Sequence, residues 1–142
     1  MRIGILGRTR DLISTANLLY KKGYEIPFIW TCKTEKYYKC DEDEFKKLAK
    51  KLESVFINSG SIKKNFDSVK KLNVQVVLSI NFLNLIPNSF LNYFEFGVLN
   101  AHFGDLPKYR GNACPNWAIL NNEKQVFLTI HKMDENLDSG KR

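Results

Sequence analysis

Short apolar runs alternate with amphipathic segments along the first half of the chain, and this alternation limits the folds that the chain can adopt. The apolar runs predict four buried strands, at residues 1–7, 24–32, 55–57 and 74–80. The amphipathic segments predict three helices between them, at residues 12–20, 41–52 and 61–72. Strands that alternate with helices form a parallel sheet with right-handed connections. The sequence therefore predicts a three-layer α/β fold, in which helices cover both faces of a mostly parallel sheet.

Individual residues refine this pattern. Pro27 lies inside the second apolar run and predicts an irregular or edge strand, because proline cannot donate a hydrogen bond to a neighbouring strand. The helix over residues 41–52 begins with acidic residues and ends with lysines, which complements the helix dipole. Beyond the fourth strand the pattern predicts a helix, a strand, a helix and a strand, at residues 89–94, 97–103, 113–120 and 126–133.

The length and composition are those of a globular protein. A chain of 142 residues is long enough for one domain with its own core. No apolar run reaches the roughly 20 residues that a membrane helix needs, and the first residues lack the layout of a secretory signal. We therefore expect a cytoplasmic protein without a membrane partner.

The number of cysteines and the net charge exclude few functions. Cys32, Cys40 and Cys114 lack the spacing of zinc ligands and the chain has only 2 histidines, so we expect reduced thiols and no metal site. The net charge of +7 suits an anionic substrate or a nucleic acid. Many lysines stand in pairs on the outer faces of predicted helices, however, where solvation alone explains them. Charge therefore does not decide between these partners.

A polar pair interrupts the predicted strand at residues 97–103. Asn100 and His102 point to one face of this strand, because side chains alternate along a strand, while Leu99 and Ala101 point to the other. Unpaired burial of an amide and an imidazole costs a few kcal/mol. Ligands of open α/β sheets bind beyond the carboxyl ends of the strands. The pair therefore predicts a functional site at the end of this strand.

Four motifs continue from this pair in a fixed order. They are Asn-x-His at 100–102, Leu-Pro-x-Tyr-Arg-Gly at 106–111, Pro-x-Trp-Ala-Ile at 115–119 and Leu-Asp-x-Gly at 137–140. Their order and spacing resemble those of the folate-dependent formyltransferases, which act on glycinamide ribonucleotide, methionyl-tRNA or sugar nucleotides. The clear match runs from about Asn81 to Gly140. The resemblance implies a Rossmann-like catalytic domain and 10-formyltetrahydrofolate as the formyl donor.

The resemblance also implies the catalytic residues, Asn100, His102 and Asp138. Formyl transfer to an amine passes through a tetrahedral species with a negatively charged oxygen. The amide and the imidazole would stabilise this oxygen, which is worth roughly 3–4 kcal/mol per donor. Asp138 would pair with the imidazole and accept the proton of the attacking amine through water.

Two further groups of residues match binding segments of the family. Asn84, Leu85 and Ile86 align with the backbone segment that contacts the pterin ring of the folate, although a plain hydrophobic loop also explains them. Lys108, Tyr109 and Arg110 align with the loop beside the amine substrate, although solvated cations of a turn explain them equally well. We expect Trp117 to pack in the core rather than to stack on a ligand. The family often has a histidine at residue 131, but we expect a structural role for His131.

The sequence departs from the family pattern in three places, of which the change at Asn122 and residues 126–128, where a Gly-rich turn is usual, affects only a hairpin. The family domain normally continues after Leu-Asp-x-Gly, so we expect a single catalytic domain over residues 1–142 that is truncated after this motif. Phe103 and Gly104 replace a common Pro-Ser pair and reshape the wall of the site. A shortened domain would expose an apolar sheet face, which predicts a homo-oligomer.

Several functions remain open at this point. The segment 112–119 resembles the sugar-nucleotide enzymes, so an amino-sugar nucleotide is the first prediction for the amine. A fragment of a methionyl-tRNA formyltransferase and a folate-binding module without turnover are the alternatives. An interaction module without folate affinity leaves Asn100, His102 and Asp138 unexplained.

Overall fold

The computed structural model describes residues 1–142 and contains one six-stranded sheet with the strand order β3-β2-β1-β4-β5-β6. The first five strands are parallel, and β6 is antiparallel to β5. The strands are β1 (Ile3–Gly7), β2 (Phe28–Thr31), β3 (Val55–Asn58), β4 (Val76–Ile80), β5 (Val98–His102) and β6 (Thr129–Lys132). The predicted α/β fold with a mostly parallel sheet is confirmed.

The strands are connected by a short 3-10 helix (Lys36–Tyr38) and by six α-helices. The α-helices are α1 (Arg10–Lys21), α2 (Glu42–Lys51), α3 (Ile62–Asn65), α4 (Asp67–Lys70), α5 (Asn88–Leu91) and α6 (Cys114–Leu120). The start of α2 follows the prediction, because the carboxylate of Asp41 accepts a hydrogen bond from the Glu44 amide at 2.9 Å. No helix of the protein has the length and apolar character needed to cross a membrane.

Two separate cores confirm that helices cover both faces of the sheet. On one face α1 and α2 pack against alternate strand residues such as Ile3, Ile5 and Ile29. On the other face α3, α4 and α5 pack against the residues between them, which include Leu6 and Trp30. Successive residues of a strand point to opposite faces, and both faces are covered. The apolar runs of the sequence are therefore continuous.

Two details of the sequence prediction are wrong. The expected helix over residues 61–72 is two single turns, α3 and α4, and Phe66 lies between them. The second strand is not at an edge, since β2 lies between β1 and β3. Pro27 lies just before β2 and contributes only its carbonyl oxygen, which accepts a hydrogen bond from the Val55 amide at 2.9 Å. A proline in this place removes no hydrogen bond from the sheet.

The topology places the candidate site. The chain adds β2 and β3 on one side of β1 and then returns to add β4 and β5 on the other side. Crevices of open α/β sheets form at such a reversal, beyond the carboxyl ends of the strands. The loop 81–87 leaves the end of β4, and the loop 103–113 leaves the end of β5. The predicted binding segments therefore share one end of the sheet.

Candidate functional site

The three predicted catalytic residues come together at the end of β5. Asn100 and His102 lie two residues apart on this strand, and Asp138 lies in the turn that follows β6. The carboxylate oxygen Oδ2 of Asp138 lies 3.6 Å from Nδ1 of His102. Both side chains are about nine-tenths buried, with 8% and 10% exposed. Residues from two distant parts of the sequence therefore form one cluster.

Asp138 is fixed by the backbone of the preceding loop. Its Oδ2 atom accepts a hydrogen bond from the Gly111 amide at 2.8 Å. The backbone of Asp138 has φ of 48°, a left-handed conformation in which aspartate is tolerated better than most residues. This bond holds the carboxylate beside His102 without requiring a direct bond between the two.

His131 is a member of the same cluster, which the sequence prediction of a purely structural histidine did not include. It lies directly opposite Asn100 in the β5–β6 pair. Its Nε2 atom lies 3.3 Å from the Asn100 amide nitrogen and 3.5 Å from Oδ1 of Asp138. Its side chain is almost completely buried. The signal available in the sequence was the register of an antiparallel pair, which places residues of one face opposite each other.

The other nitrogen of His102 is already in a hydrogen bond. Nε2 lies 2.6 Å from the carbonyl oxygen of Tyr109, so this nitrogen carries the hydrogen and donates it. The Cys114 sulfur lies 3.5 Å from the same nitrogen and 3.3 Å from the carbonyl oxygens of Tyr109 and Gly111, and its single hydrogen is donated to one of these two oxygens. Burial, with a further contribution from the Asp138 charge, raises the pKa of the Cys114 thiol. Cys114 is therefore a neutral neighbour of the imidazole near pH 7.

Two of the predicted substrate-binding side chains bind Glu123, a residue that the sequence analysis did not select. The Tyr109 hydroxyl donates to Oε1 of Glu123 at 2.9 Å, and Lys108 forms an ion pair with the same oxygen. The Lys108 ammonium lowers the pKa of Glu123, and the carboxylate raises the pKa of Lys108. Arg110 is exposed and forms no hydrogen bond within the chain. Of the three, only Arg110 is unengaged in this conformation.

The loop after β4 offers a different kind of surface. Leu85 is 90% exposed, whereas Ile86 packs against the core formed with α3, α4 and α5. The Asn84 side chain donates to the Gly60 carbonyl at 2.9 Å. The backbone groups of residues 84–86 form no hydrogen bonds within the chain. The loop therefore presents free backbone donors and acceptors beside apolar side chains.

Trp117 was predicted in the core, and this prediction is wrong. Its side chain is 56% exposed, because α6 is a helix of 7 residues that packs inward through Cys114 and Ala118 only. Helical periodicity alone did not reveal which face of so short a helix would be covered.

The cluster offers a defined chemistry. It combines amide and imidazole donors with a buried carboxylate, which suits the stabilisation of a negative oxygen and the transfer of a proton. No group of three or more histidine, cysteine, aspartate or glutamate side chains is arranged to hold a metal ion.

Comparison with known proteins identifies the family of this chain. Residues 31–142 match the family model described as formyl transferase. Among curated proteins, the chain is similar to the methionyl-tRNA formyltransferase of Caldanaerobacter subterraneus subsp. tengcongensis, with 31% identity over 146 residues, 99% of this chain and 47% of that protein. The corresponding enzyme of Pelagibacter ubique is 30% identical over 98% of this chain and 47% of its own length. The chain thus spans about half the length of the curated relatives it matches.

Solved structures share the fold. The phosphoribosylglycinamide formyltransferase of Anaplasma phagocytophilum matches with a TM-score of 0.79 at 19% identity, over 99% of this chain and 68% of that one. A sugar N-formyltransferase from Shewanella matches with a TM-score of 0.67 at 20% identity, over 99% of this chain and 54% of that one. These matches agree with the sheet order and the helical layers described above.

Proposed function

Because this chain belongs to the formyl transferase family, we propose that its site transfers a formyl group from 10-formyltetrahydrofolate to a primary amine. The observation that supports the proposal most strongly is the convergence of Asn100, His102 and Asp138 at the end of β5. Burial of a carboxylate beside an imidazole and an amide costs free energy, and such arrangements cluster at functional sites.

The residues fit the formyl donor. The free backbone groups of residues 84–86 match the amide-like edge of a pterin, and the exposed Leu85 side chain offers apolar contact to its ring. When bound, the donor supplies an activated formyl group on nitrogen. Asn84, Leu85 and Ile86 would hold it, at the same end of the sheet as Asn100 and His102.

The chain's own residues would then perform three tasks. The Asn100 amide and the His102 imidazole donate hydrogen bonds to the formyl oxygen as it gains negative charge, at roughly 3–4 kcal/mol per donor. Asp138 lies beside the imidazole and takes up the proton lost by the amine, through one water. A bond forms between the amine nitrogen and the formyl carbon, the bond to the donor nitrogen breaks, and the donor nitrogen is reprotonated.

The identity of the amine has two candidates. The segment Pro115–Ile119 supports an amino-sugar nucleotide, and a sugar N-formyltransferase shares the fold. The curated relatives at about 30% identity over almost the whole chain support methionyl-tRNA, since both carry that name. Both substrates are anionic, which suits the net charge of +7 and the exposed Arg110.

An assay with radiolabelled formyl donor tests the proposal and separates the candidates. The chain is incubated with 10-formyltetrahydrofolate and, in parallel, methionyl-tRNA, an amino-sugar nucleotide or glycinamide ribonucleotide. Label in one amine identifies the substrate, and a steep fall of tRNA affinity with salt would accompany the tRNA reaction. Donor binding without label in any amine would support the folate-binding module instead. A chain that neither binds the donor nor forms product would refute the proposal.

Assembly and location remain proposals. Apolar side chains of α6 and β6 are exposed, including Ile119, Leu120 and Ile130 at 68%, 71% and 60%. We propose that a homo-oligomer covers part of this surface, and a cytoplasmic location agrees with the three buried free thiols. Sedimentation of a stably folded monomer at high concentration would contradict the oligomer.

A further inference from the structure

Arg8 directly follows the central strand β1 and is buried, with 8% of the residue exposed. Arginine is rarely buried unless its charge is paired. No carboxylate lies within ion-pair distance of Arg8, however. Burial of an unpaired charge costs free energy unless other polar groups satisfy it. The groups that Arg8 contacts instead therefore indicate its role.

The hydrogen bonds of Arg8 join the loops that follow the two neighbouring strands. Its Nε atom donates to the Asn81 carbonyl and its Nη1 atom to the Lys33 carbonyl, both at 3.0 Å. Residue 33 follows β2 and residue 81 follows β4, and β1 lies between these strands. The guanidinium is planar and presents its donors in fixed directions. One side chain thus connects both loops at the end of the sheet where the site lies.

Tyr38 adds a third contact to this arrangement. The guanidinium carbon of Arg8 lies 5.1 Å from the centre of the Tyr38 ring, a favourable position for a cation. The Tyr38 hydroxyl accepts a hydrogen bond from the Asn81 side-chain amide. Asn81 has φ of 54°, a left-handed conformation that asparagine tolerates. Arg8 and Tyr38 therefore fix the backbone and the side chain of the residue at which the chain leaves β4.

The loop that begins at Asn81 has few other restraints on its backbone. Apart from the bond from Arg8, the backbone nitrogen and oxygen atoms of residues 81–86 form no hydrogen bonds within the chain. The remaining anchors are side chains, since Asn84 donates to the Gly60 carbonyl and Ile86 packs against a core. A loop that is ordered before binding binds its ligand more tightly than one that must be ordered by the ligand.

We propose that Arg8 is a positioning residue for the formyl donor: through the Asn81 carbonyl, its guanidinium holds the backbone of residues 84–86 in the arrangement that binds the pterin. The inference rests on the proposed function and adds a residue from outside the four motifs. Arg8 forms no hydrogen bond with Asn100, His102 or Asp138. Its loss should therefore weaken donor binding and leave the transfer step intact.

The order of the loop in the free chain tests the first part of the proposal. Arg8→Ala removes the guanidinium, and Arg8→Lys keeps the charge without the planar group. Arg2→Ala is the matched control, because Arg2 donates to the Leu72 carbonyl at 3.0 Å and pairs with Glu25 at the opposite end of β1. Nitrogen-15 relaxation of the amides of residues 84 and 85 should show lower order parameters in Arg8→Ala but not in Arg2→Ala. Unchanged order parameters in Arg8→Ala would overturn the positioning role.

A titration with 5-formyltetrahydrofolate, a donor analogue, tests the second part. We expect binding at least about tenfold weaker in Arg8→Ala, and affinity within about twofold of the unmodified chain in Arg2→Ala. Arg8→Lys should also bind more weakly, because an ammonium group cannot reproduce the geometry of the guanidinium. Unchanged affinity in Arg8→Ala would overturn the proposal, and full affinity in Arg8→Lys would overturn the role of the guanidinium. Arg8→Lys keeps the test open if Arg8→Ala does not fold.

Rescue by free guanidinium distinguishes positioning from general damage to the fold. Guanidinium chloride at low-millimolar concentration, far below the molar range that unfolds proteins, should restore donor affinity several-fold in Arg8→Ala. Sodium chloride at the same ionic strength should not. Weak binding that guanidinium does not restore, or that both salts restore equally, would contradict the proposal.

Turnover separates binding from chemistry. In Arg8→Ala the KM for 10-formyltetrahydrofolate should rise by about the factor lost in affinity, while kcat stays within about twofold. A fall of kcat with unchanged KM would contradict a role in donor binding. Absence of binding and turnover in every protein, the unmodified chain included, would refute the proposed function. The order parameters of the free chain would still decide whether Arg8 holds the loop.

Discussion

Nδ1 of His102 faces Oδ2 of Asp138 at 3.6 Å, and the Gly111 amide holds the same oxygen at 2.8 Å. The first distance is longer than a hydrogen bond, whereas the second is ordinary. The carboxylate is therefore positioned by the loop backbone and stands ready beside the imidazole. Catalytic contacts of this kind often shorten only when a substrate is bound.

Asp138→Asn should lower formyl transfer about hundredfold with little loss of stability. The asparagine side chain can still accept the hydrogen bond from Gly111, but it cannot take up the proton of the amine. Turnover at saturating donor, together with the thermal midpoint, measures both effects. Asp43→Asn is the control, because the Asp43 side chain is exposed and lies on α2, away from the site. Equal activity of the two variants would contradict the role of Asp138.

His131→Phe should destabilise the fold by about 1–3 kcal/mol and lower turnover. The ring volume is retained, but the Asn100 amide and the Asp138 carboxylate lose a buried neighbour at 3.3 and 3.5 Å. Denaturant unfolding measures the free energy, and Ile130→Val is the control on the exposed face of the same strand. A change within about 0.5 kcal/mol, the usual range for surface positions, would show that the contacts are dispensable.

Glu42→Gln should reduce the loss of unfolding free energy that the chain shows as the pH falls into the acidic range. The Thr34 amide donates to the Glu42 carboxylate at 2.8 Å, and this bond lowers the pKa of Glu42 from its ordinary value of 4.5. A carboxyl whose pKa is lower in the folded state stabilises the fold fully above pH 4.5, and this contribution is lost as the pH falls towards the folded-state pKa. Unfolding free energies between pH 3 and pH 7 measure the difference. Parallel profiles for both proteins would contradict the prediction.

The three thiols should be unreactive in the folded chain. Cys32, Cys40 and Cys114 are buried, with 1%, 9% and 3% exposed, and burial raises the pKa of each thiol from 9.0. At pH 8 each thiol is therefore less ionised than a free cysteine and also less accessible. Iodoacetamide should modify them about a hundredfold more slowly than in the unfolded chain. Labelling of any of the three at the rate of the unfolded chain would contradict the prediction.

The order of strands and helices could be predicted from the sequence, because buried strands and amphipathic helices each leave a local pattern of apolar residues. The ends of α2 followed from Asp41 and the terminal lysines, and the face shared by Asn100 and His102 followed from alternation along β5. The four motifs placed Asp138 in the same site as this pair. The pattern within a single strand or helix could not have shown this, because Asp138 lies far along the sequence. The distance of 3.6 Å between Asp138 and His102 agrees with that connection.

Other features depend on tertiary contacts that no local pattern reports. The contact between the Tyr109 carbonyl and His102 involves a backbone atom, which has no signature in the sequence. No sequence pattern distinguishes Glu123 from other surface carboxylates. Its role follows from the fold, which places it beside Lys108. Pro27 predicted an irregular or edge strand, yet its place just before β2 makes it compatible with the interior of the sheet. The exposure of Trp117 likewise depends on what covers α6.

The most direct test of the central claim is a single-turnover measurement of formyl transfer by the unmodified chain and by His102→Ala. Both are saturated with 10-formyltetrahydrofolate and given the amine that the substrate panel identifies. We predict that His102→Ala binds the donor with unchanged affinity but transfers the formyl group at least about a hundredfold more slowly. Equal transfer rates in the two proteins would contradict the assignment of the cluster as the site of reaction.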